Sequence, residues 1–64
     1  MWRRVHDAGA FVEVTDVYSN GTVHIWHFWE DSTVSLFSET TVQALGYDSV
    51  EQFLEYRWDY RRVR

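Results

Sequence analysis

Four residues near the middle of the chain belong to the types that bind metal ions, namely His24, His27, Glu30 and Asp31. They lie in and just after a run of β-branched and aromatic residues, which favours a strand. Side chains alternate between the two faces of a strand, so His24 and His27, three positions apart, point in opposite directions and cannot share an ion. We therefore predict no metal and no cofactor, and we interpret the histidines as sheet residues paired with acids such as Asp16 or Glu13.

The residue patterns of common catalytic sites are also missing. The chain has no cysteine, no serine in a nucleophile elbow, and three glycines (9, 21 and 46) that are too far apart to cradle a phosphate. His6 and Asp7 are neighbours in sequence, but contiguity alone does not produce triad geometry. Because a chain of 64 residues also leaves little room for a pre-organised cleft, we predict that this protein is not an enzyme.

Charge is distributed unevenly along the chain. Between Val5 and Tyr56 there is no Lys or Arg, whereas nine of the ten acidic residues lie in that span and all six arginines lie outside it. An acidic body disfavours general binding to nucleic acids and favours a positively charged partner. The alternative is that the acids only keep an aromatic-rich domain in solution.

Length and composition indicate one small domain spanning residues 1–64. Without cysteines the chain cannot form disulfides, so aromatic burial and self-association are its remaining sources of stability. The chain starts with basic residues, but Asp7 and Glu13 follow before the apolar stretch of a signal peptide could form. No apolar run approaches the length of a membrane helix, about 18 residues. We expect a cytoplasmic location and no membrane contact.

Asn20-Gly21 is the strongest local signal, because both residues tolerate the positive φ of a tight hairpin turn. The flanking runs predict strands near residues 11–18 and 22–29. A two-residue turn would pair Tyr18 with Val23, whereas a three-residue loop ending at Gly21 would pair Tyr18 with Thr22. We prefer the two-residue turn, which collects on one face the residues Val12, Val14, Val23, Ile25 and Trp29.

A third strand is predicted near residues 33–38, after a turn at residues 30–32. Alternation places Val34 and Leu36 on one face of this strand and Phe37 on the other. The second strand is the most apolar of the three, which suits a central position. The three strands together predict a small antiparallel meander.

The period of the pattern changes after the third strand. A helical turn is predicted near residues 40–45, ended by Gly46 in a left-handed conformation. Asp48 with Glu51 three positions later is a helix start signal, so the main helix is predicted near residues 49–60. The predicted fold class is α+β, a three-stranded meander with a C-terminal helix.

The segment after Glu55 fits two structures. Nothing in it breaks a helix, and we prefer a helix on that ground. As a strand, Tyr56, Trp58 and Tyr60 would alternate with charged residues. The alternative fold is therefore ββαβ with a C-terminal strand.

The same segment interleaves arginine with aromatic residues, a pattern typical of surfaces that bind single-stranded nucleic acids. The competing explanation is that the arginines complement the negative end of the helix dipole. Because the body of the chain is acidic, we rank nucleic-acid binding as the alternative function. Its candidate residues are Arg57, Trp58, Arg61, Arg62 and Arg64.

Aromatic residues occur on both faces of the predicted sheet, whereas one short helix covers only one face. In either register the second strand places Trp29 on one face and Trp26 with Phe28 on the other. The aromatic set without cover would form an interface with a partner or a second copy, and it is the expected working surface. Alternatively, Trp2 and the C-terminal aromatics fold over the second face and close a small barrel-like core.

With this order of elements the chain resembles chromo-like and SH3-like small barrels. In length and acidity it resembles phage-encoded inhibitors of host enzymes. Both resemblances rest on shape, length and charge, with no motif behind them, so they imply no site residues.

The leading functional hypothesis is a small acidic interaction protein that docks on a basic surface of a larger protein. A nucleic-acid-handling enzyme that it inhibits or modulates fits this description. Acids would steer the encounter and aromatics would anchor the complex. The predicted partner-binding residues are Trp26, Phe28, Trp29, Glu30, Asp31, Asp16 and Glu39. Nucleic-acid binding and a structural homodimer are the alternatives.

Overall fold

One antiparallel sheet of five strands carries one short helix in a computed structural model that describes all 64 residues. The elements in chain order are β1 (Trp2–Asp7), β2 (Phe11–Val17), β3 (Thr22–Trp29), β4 (Val34–Thr41), α1 (Val50–Tyr56) and β5 (Arg61–Arg62). The strands lie side by side in the order β4-β3-β2-β1-β5. The first four therefore form a meander, and the chain returns through α1 to add β5 beside β1.

The α+β class is confirmed, but the preferred three-stranded sheet is wrong because the sheet also contains β1 and β5. β1 carries polar residues on both faces, so no alternating apolar pattern marks it, yet it pairs with β2 along its full length. β5 has two residues, too few for a pattern, and pairs with Trp2 and Arg3. The C-terminal strand of the alternative fold is thus the correct structure for Arg61–Arg62.

The hairpin predicted at Asn20-Gly21 is confirmed, but the preferred register is wrong. Tyr18 N donates to Thr22 O at 2.9 Å, and Gly21 N donates to Tyr18 O at 2.9 Å, which closes a three-residue loop. Asn20 Oδ1 accepts from Thr22 N at 3.0 Å, and Gly21 has a φ of 92°. A turn followed by one left-handed residue therefore replaces the two-residue turn.

The loop between β3 and β4 repeats this geometry without a glycine. Trp29 N donates to Thr33 O at 2.9 Å, and Asp31 Oδ1 accepts from Thr33 N at 2.9 Å. Ser32 occupies the position that Gly21 holds in the first loop, with a φ of 69°. A non-glycine residue in this conformation carries steric strain between its Cβ and the backbone.

β4 is longer than predicted and contains a bulge. It continues to Thr41, and its register with β3 shifts between Ile25 and Trp26. Phe37 is the additional residue, and its ring stacks on the ring of His27. At the bulge, two residues of β4 lie opposite one residue of β3, and the local twist of the strands increases.

The helical turn predicted near residues 40–45 is a single hydrogen-bonded turn over residues 42–46, in which Leu45 N donates to Thr41 O at 3.2 Å. Tyr47 N donates to Val42 O and Gly46 N donates to Gln43 O, both at 3.0 Å. Gly46 has a φ of 98°, so its predicted left-handed conformation is confirmed. The two bonds are those of a Schellman motif, here ending a single turn.

The helix is shorter than predicted and begins one residue later. Ser49, not Asp48, is its N-cap, and Ser49 Oγ accepts from Gln52 N at 3.1 Å. α1 ends at Tyr56, and the N–H of Arg57 closes it on Phe53 O. Ser49 and Gln52 are three positions apart, as are Asp48 and Glu51, so both pairs fit the spacing of a helix start. In the structure the helix begins after Ser49.

The core lies between α1 and one end of the sheet. Its five buried apolar residues are Val17, Val23, Val42, Val50 and Phe53. Trp2 and Tyr60 pack against this cluster, so they do not close a barrel over the second face. We call the covered side of the sheet the helix face, and the end of the sheet farthest from α1, with the loops at residues 8–10 and 30–33, the distal end.

We predict that Ser32→Gly stabilises the protein by about 1 kcal/mol, because glycine adopts a positive φ without the steric cost that serine carries. For a domain of this size, thermal unfolding would move upward by roughly 4–8 °C. Circular dichroism melting measures the shift. Ser19→Gly is the matched control, since Ser19 lies in the first loop without a positive φ; an equal gain in both variants would contradict the assignment of strain to Ser32.

Candidate interaction surfaces

The sheet face opposite α1 is covered by no other element, and we call it the open face. The strand register places its side chains in rows that run across the sheet. Its residues are Arg3, Val5, Asp7, Val12, Val14, Asp16, Tyr18, His24, Trp26, Phe28, Val34, Leu36, Glu39 and Arg61. Most of the apolar members are only partly buried, so this face is one continuous apolar surface with a row of charged residues at one end and Asp7 at the distal rim.

The apolar part of the open face forms a shallow groove of about 430 Å³. Val5, Val14, Trp26, Phe28 and Val34 contribute to its walls. Val5, on the inner strand β1, is 63% exposed, and Val34, on the edge strand β4, is 51% exposed. Contiguous exposed apolar surface of this kind marks a site of association.

The charged end of the open face contains the Arg3–Asp16 ion pair and a contact between His24 and Glu39. Arg3 Nε and Nη2 donate to the two carboxylate oxygens of Asp16 at 2.7 and 3.0 Å. This hydrogen bonding raises the pKa of Arg3, and Asp16 is almost completely buried. His24 Nε2 lies 3.2 Å from Glu39 Oε2 on the neighbouring strands. The carboxylate of Asp16 is therefore already neutralised within the chain.

The distal end of the sheet carries acids and no Lys or Arg. Glu30 and Asp31 form the tip of the β3–β4 loop, and Asp7 lies at the end of β1. None of the three makes an ion pair. Hydrogen bonds from Thr33 lower the pKa of Asp31, so this carboxylate stays charged at neutral and mildly acidic pH. The end farthest from α1 is therefore a site of uncompensated negative charge.

An aromatic cluster lies next to this acidic end on the helix face, beyond the reach of α1. The imidazole of His27 is stacked between Phe11 and Phe37, with ring centroids 4.0 and 4.3 Å away. Its Nε2 lies 3.1 Å from Glu13 Oε2, and His27 is buried. Phe37 is 66% exposed and Trp29 is also exposed, so the outer rings of the cluster face solvent.

The structure divides the predicted partner-binding residues between two surfaces. Trp26, Phe28, Asp16 and Glu39 lie on the open face, whereas Trp29 lies on the helix face with the His27 cluster. Glu30 and Asp31 lie at the distal tip, close to Trp29 in sequence. The prediction that Trp29 and Trp26 point to opposite faces is confirmed.

The predicted nucleic-acid-binding residues are also divided. Arg57 stacks on the rings of Phe53 and Tyr60 and lies 3.8 Å from Asp59. Trp58 is 86% exposed. The arginines without a carboxylate partner are Arg61, Arg62 and Arg64. Only those three, together with Trp58, are available to an anionic ligand.

The histidines are separated as alternation requires, with His24 on the open face and His27 on the helix face. His27 pairs with Glu13 as predicted, whereas His24 pairs with Glu39 rather than with Asp16. No three His, Cys, Asp or Glu side chains are arranged in this structure to hold a metal ion. The chain also has no helix of the length and apolarity needed to cross a bilayer.

Several surface residues were not foreseen as part of a site. Val5 was missed because β1 was not predicted, and its opposition to Val14 places it on the open face. The prediction that Val34 and Leu36 share a face is confirmed. Their pairing with Phe28 and Trp26 places them on the open face, together with the residues that the register of β2 and β3 brings there. Phe37 lies on the face opposite Val34 and Leu36, as predicted, but its stacking on His27 was not foreseen.

Comparison with known proteins finds no matching family model, no matching curated protein and no matching solved structure. The case for a function therefore depends on the geometry and charge of the two surfaces.

We predict that Asp59→Asn weakens the attachment of β5 and reduces the acid sensitivity of folding. Burial alone would raise the pKa of Asp59, but the hydrogen bond that Arg4 Nε donates to Asp59 Oδ2 and the nearby Arg57 lower it. A carboxyl whose pKa falls on folding stabilises the protein above its unfolded pKa of about 4, and that contribution is lost as pH falls through the folded value.

Urea unfolding at neutral pH and near pH 3 measures this difference. The wild type should lose more stability between the two conditions than Asp59→Asn. Glu55→Gln is the control, because Glu55 is exposed and forms no ion pair. An equal loss in the wild type and Asp59→Asn would show that the Arg4–Asp59 pair does not contribute.

Proposed function

We propose that this protein is a non-enzymatic acidic interaction module that docks its distal end on a basic surface of a larger protein. The observation that carries the proposal is the combination of unpaired acids, exposed aromatic rings and no Lys or Arg at that end. Proteins that handle nucleic acids commonly present basic surfaces, so an enzyme of that class, inhibited or modulated by occlusion, is the proposed partner.

Charge at the distal end supports a role in steering. Glu30 and Asp31 sit on a hairpin tip and form no ion pair, and the carboxylates that Arg3 and Arg4 contact are Asp16, Glu13 and Asp59. No arginine therefore neutralises the tip by direct pairing. The local field is negative, which accelerates encounter with a basic patch.

Aromatic rings beside the acids support a role in anchoring. Trp29 directly precedes Glu30, and Phe37 lies one strand away on the same face. The stacked His27 holds the cluster in place, because it is buried between Phe11 and Phe37 and bonded to Glu13. Rigid aromatics next to charged residues are typical of the residues that dominate binding energy.

We predict that Glu30→Gln with Asp31→Asn slows association with a basic partner about tenfold and flattens its dependence on salt. Both changes remove charge with little change in shape, and asparagine at position 31 keeps the oxygen that accepts from Thr33 N. The probe is a peptide selected from a random display library with the wild-type protein as bait. Stopped-flow fluorescence at several salt concentrations then measures the association rate.

The matched control is Glu51→Gln with Glu55→Gln, which removes the same charge from the exposed side of α1. Trp29→Ala should raise the dissociation rate and leave the association rate nearly unchanged. The selected peptides should be rich in Lys and Arg. Selection of neutral or acidic peptides, or an equal effect of the two double variants, would contradict docking through the distal end.

Nucleic-acid binding is the second candidate, and the observation that favours it is the exposed Trp58 beside three arginines without carboxylate partners. An exposed aromatic near unpaired cations can stack a base and contact phosphates. Fluorescence anisotropy with a labelled oligothymidine at low salt tests it. Binding that is lost in Arg61→Ala with Arg62→Ala supports this function, and no binding by the wild type contradicts it.

A further inference from the structure

One row of side chains crosses the whole open face, with positive charges at one end and a carboxylate at the other. Direct pairing across the ladder aligns five residues, one from each strand, and we call them the charged row: Arg61, Arg3, Asp16, His24 and Glu39. The β5 and β1 side of the row is positive, and the β4 side ends in a carboxylate. Glu39 is exposed and Arg61 has no carboxylate partner, so both ends can accept a further partner.

Two apolar rows lie beside the charged row toward the distal end. The first contains Val5, Val14, Trp26 and Leu36, and the second contains Val12, Phe28 and Val34. Asp7 ends the second row at its rim, where its Oδ1 accepts from Gly9 N at 2.9 Å. The open face therefore has the composition of half of a sheet-on-sheet core, with one charged border.

We propose that the open face binds the open face of a second copy of this chain, about a two-fold axis that runs along the strands near β2. Rotation about this axis places β5 of one copy opposite β4 of the other and β1 opposite β3. Each row of side chains then faces the same row of the second copy. Arg61 of one copy then faces Glu39 of the other, and Trp26 faces Val5. The two ends of the charged row are self-complementary under this operation, as an isologous interface requires, while Arg3 faces His24 and Asp7 faces Phe28 at the rim.

Other arrangements of the same two faces are less favourable. A two-fold axis perpendicular to the strands, in the plane of the interface, would place the charged row of one copy over the second apolar row of the other. The charges would then lose water without gaining new partners. In the proposed arrangement Asp16 is the one charged residue that faces its own copy, and each Asp16 is neutralised by two bonds from Arg3 within its chain.

The contact has the minimum size of a biological interface. Strands about 4.8 Å apart and rows about 7 Å apart give a face of roughly 24 by 20 Å, so two copies bury on the order of 1,000 Å². The two-fold axis also places both distal ends at the same end of the dimer. The inference does not depend on the proposed docking function, because dimerisation is measured without any basic partner.

The test is a charge exchange between Glu39 and Arg61, followed by sedimentation velocity. The wild type should sediment as a dimer at micromolar concentration. Glu39→Arg alone would place two arginines together, and Arg61→Glu alone would place two glutamates together, so each should weaken the dimer about tenfold or more. An equal mixture of the two variants restores both opposite-charge contacts and should form a heterodimer.

The mixing step separates an interface from a role within one chain, because a fold damaged by either substitution is not repaired by mixing. Val5→Glu is an independent variant that should also dissociate the dimer, and exposed Val5 allows the monomer to fold. Glu51→Arg on α1 is the control and should leave the dimer intact. A monomeric wild type, unchanged single variants, or a mixture that stays monomeric would each overturn the proposal.

Discussion

The length of α1 limits how much of this molecule can be buried. A helix of seven residues spans about 10 Å at 1.5 Å per residue, whereas a strand of eight residues spans about 26 Å. α1 therefore covers one end of one face, and the buried apolar core contains only five residues. Exposed apolar side chains therefore remain on the open face (Val5, Phe28, Val34 and Leu36) and near the distal end (Trp29 and Phe37), where only another molecule can cover them.

Antiparallel pairing converts the charge asymmetry of the sequence into a separation in space. The two chain ends meet where β5 lies beside β1, so arginines that are about sixty positions apart in sequence share one side of the sheet. Arg3 and Arg4 are neutralised there by Asp16 and Asp59. The acids of the distal end have no such neighbours, so the molecule carries unpaired arginines at β5 and the C-terminus and unpaired carboxylates at the distal end.

Local signals predicted part of this structure, and contacts between distant residues determined the rest. Asn20-Gly21 gave the hairpin, and the residue types gave the opposite placement of Trp26 and Trp29 in either register. The register itself depended on whether the loop has two or three residues, and Tyr18 with Thr22 decides it through one backbone bond. Because the loop has three residues instead of two, Val12 and Val14 lie on the face of Trp26 and not on the face of Trp29.

The candidate surfaces were predictable to a similar degree. The acidic tip could be read directly, because Glu30 and Asp31 follow a strand and precede a turn. The open face could not, since it needs β1, whose polar residues show no alternating pattern and which forms by pairing with β2. Val5 and Arg61 acquire their positions only through this non-local pairing, and they complete the charged row and the groove.

The order of the strands also has a consequence for the time course of folding. β1 to β4 each pair with a neighbour in sequence, and two of their connections are three-residue loops of the same geometry, so these hairpins close short segments of chain. The β1–β5 pair instead closes a loop of nearly the whole chain for two residues of pairing, which is entropically the most costly contact in the sheet. We therefore expect the meander to form first and the arginine-bearing strand to join last, with the amides of β5 the fastest to exchange with solvent among the five strands.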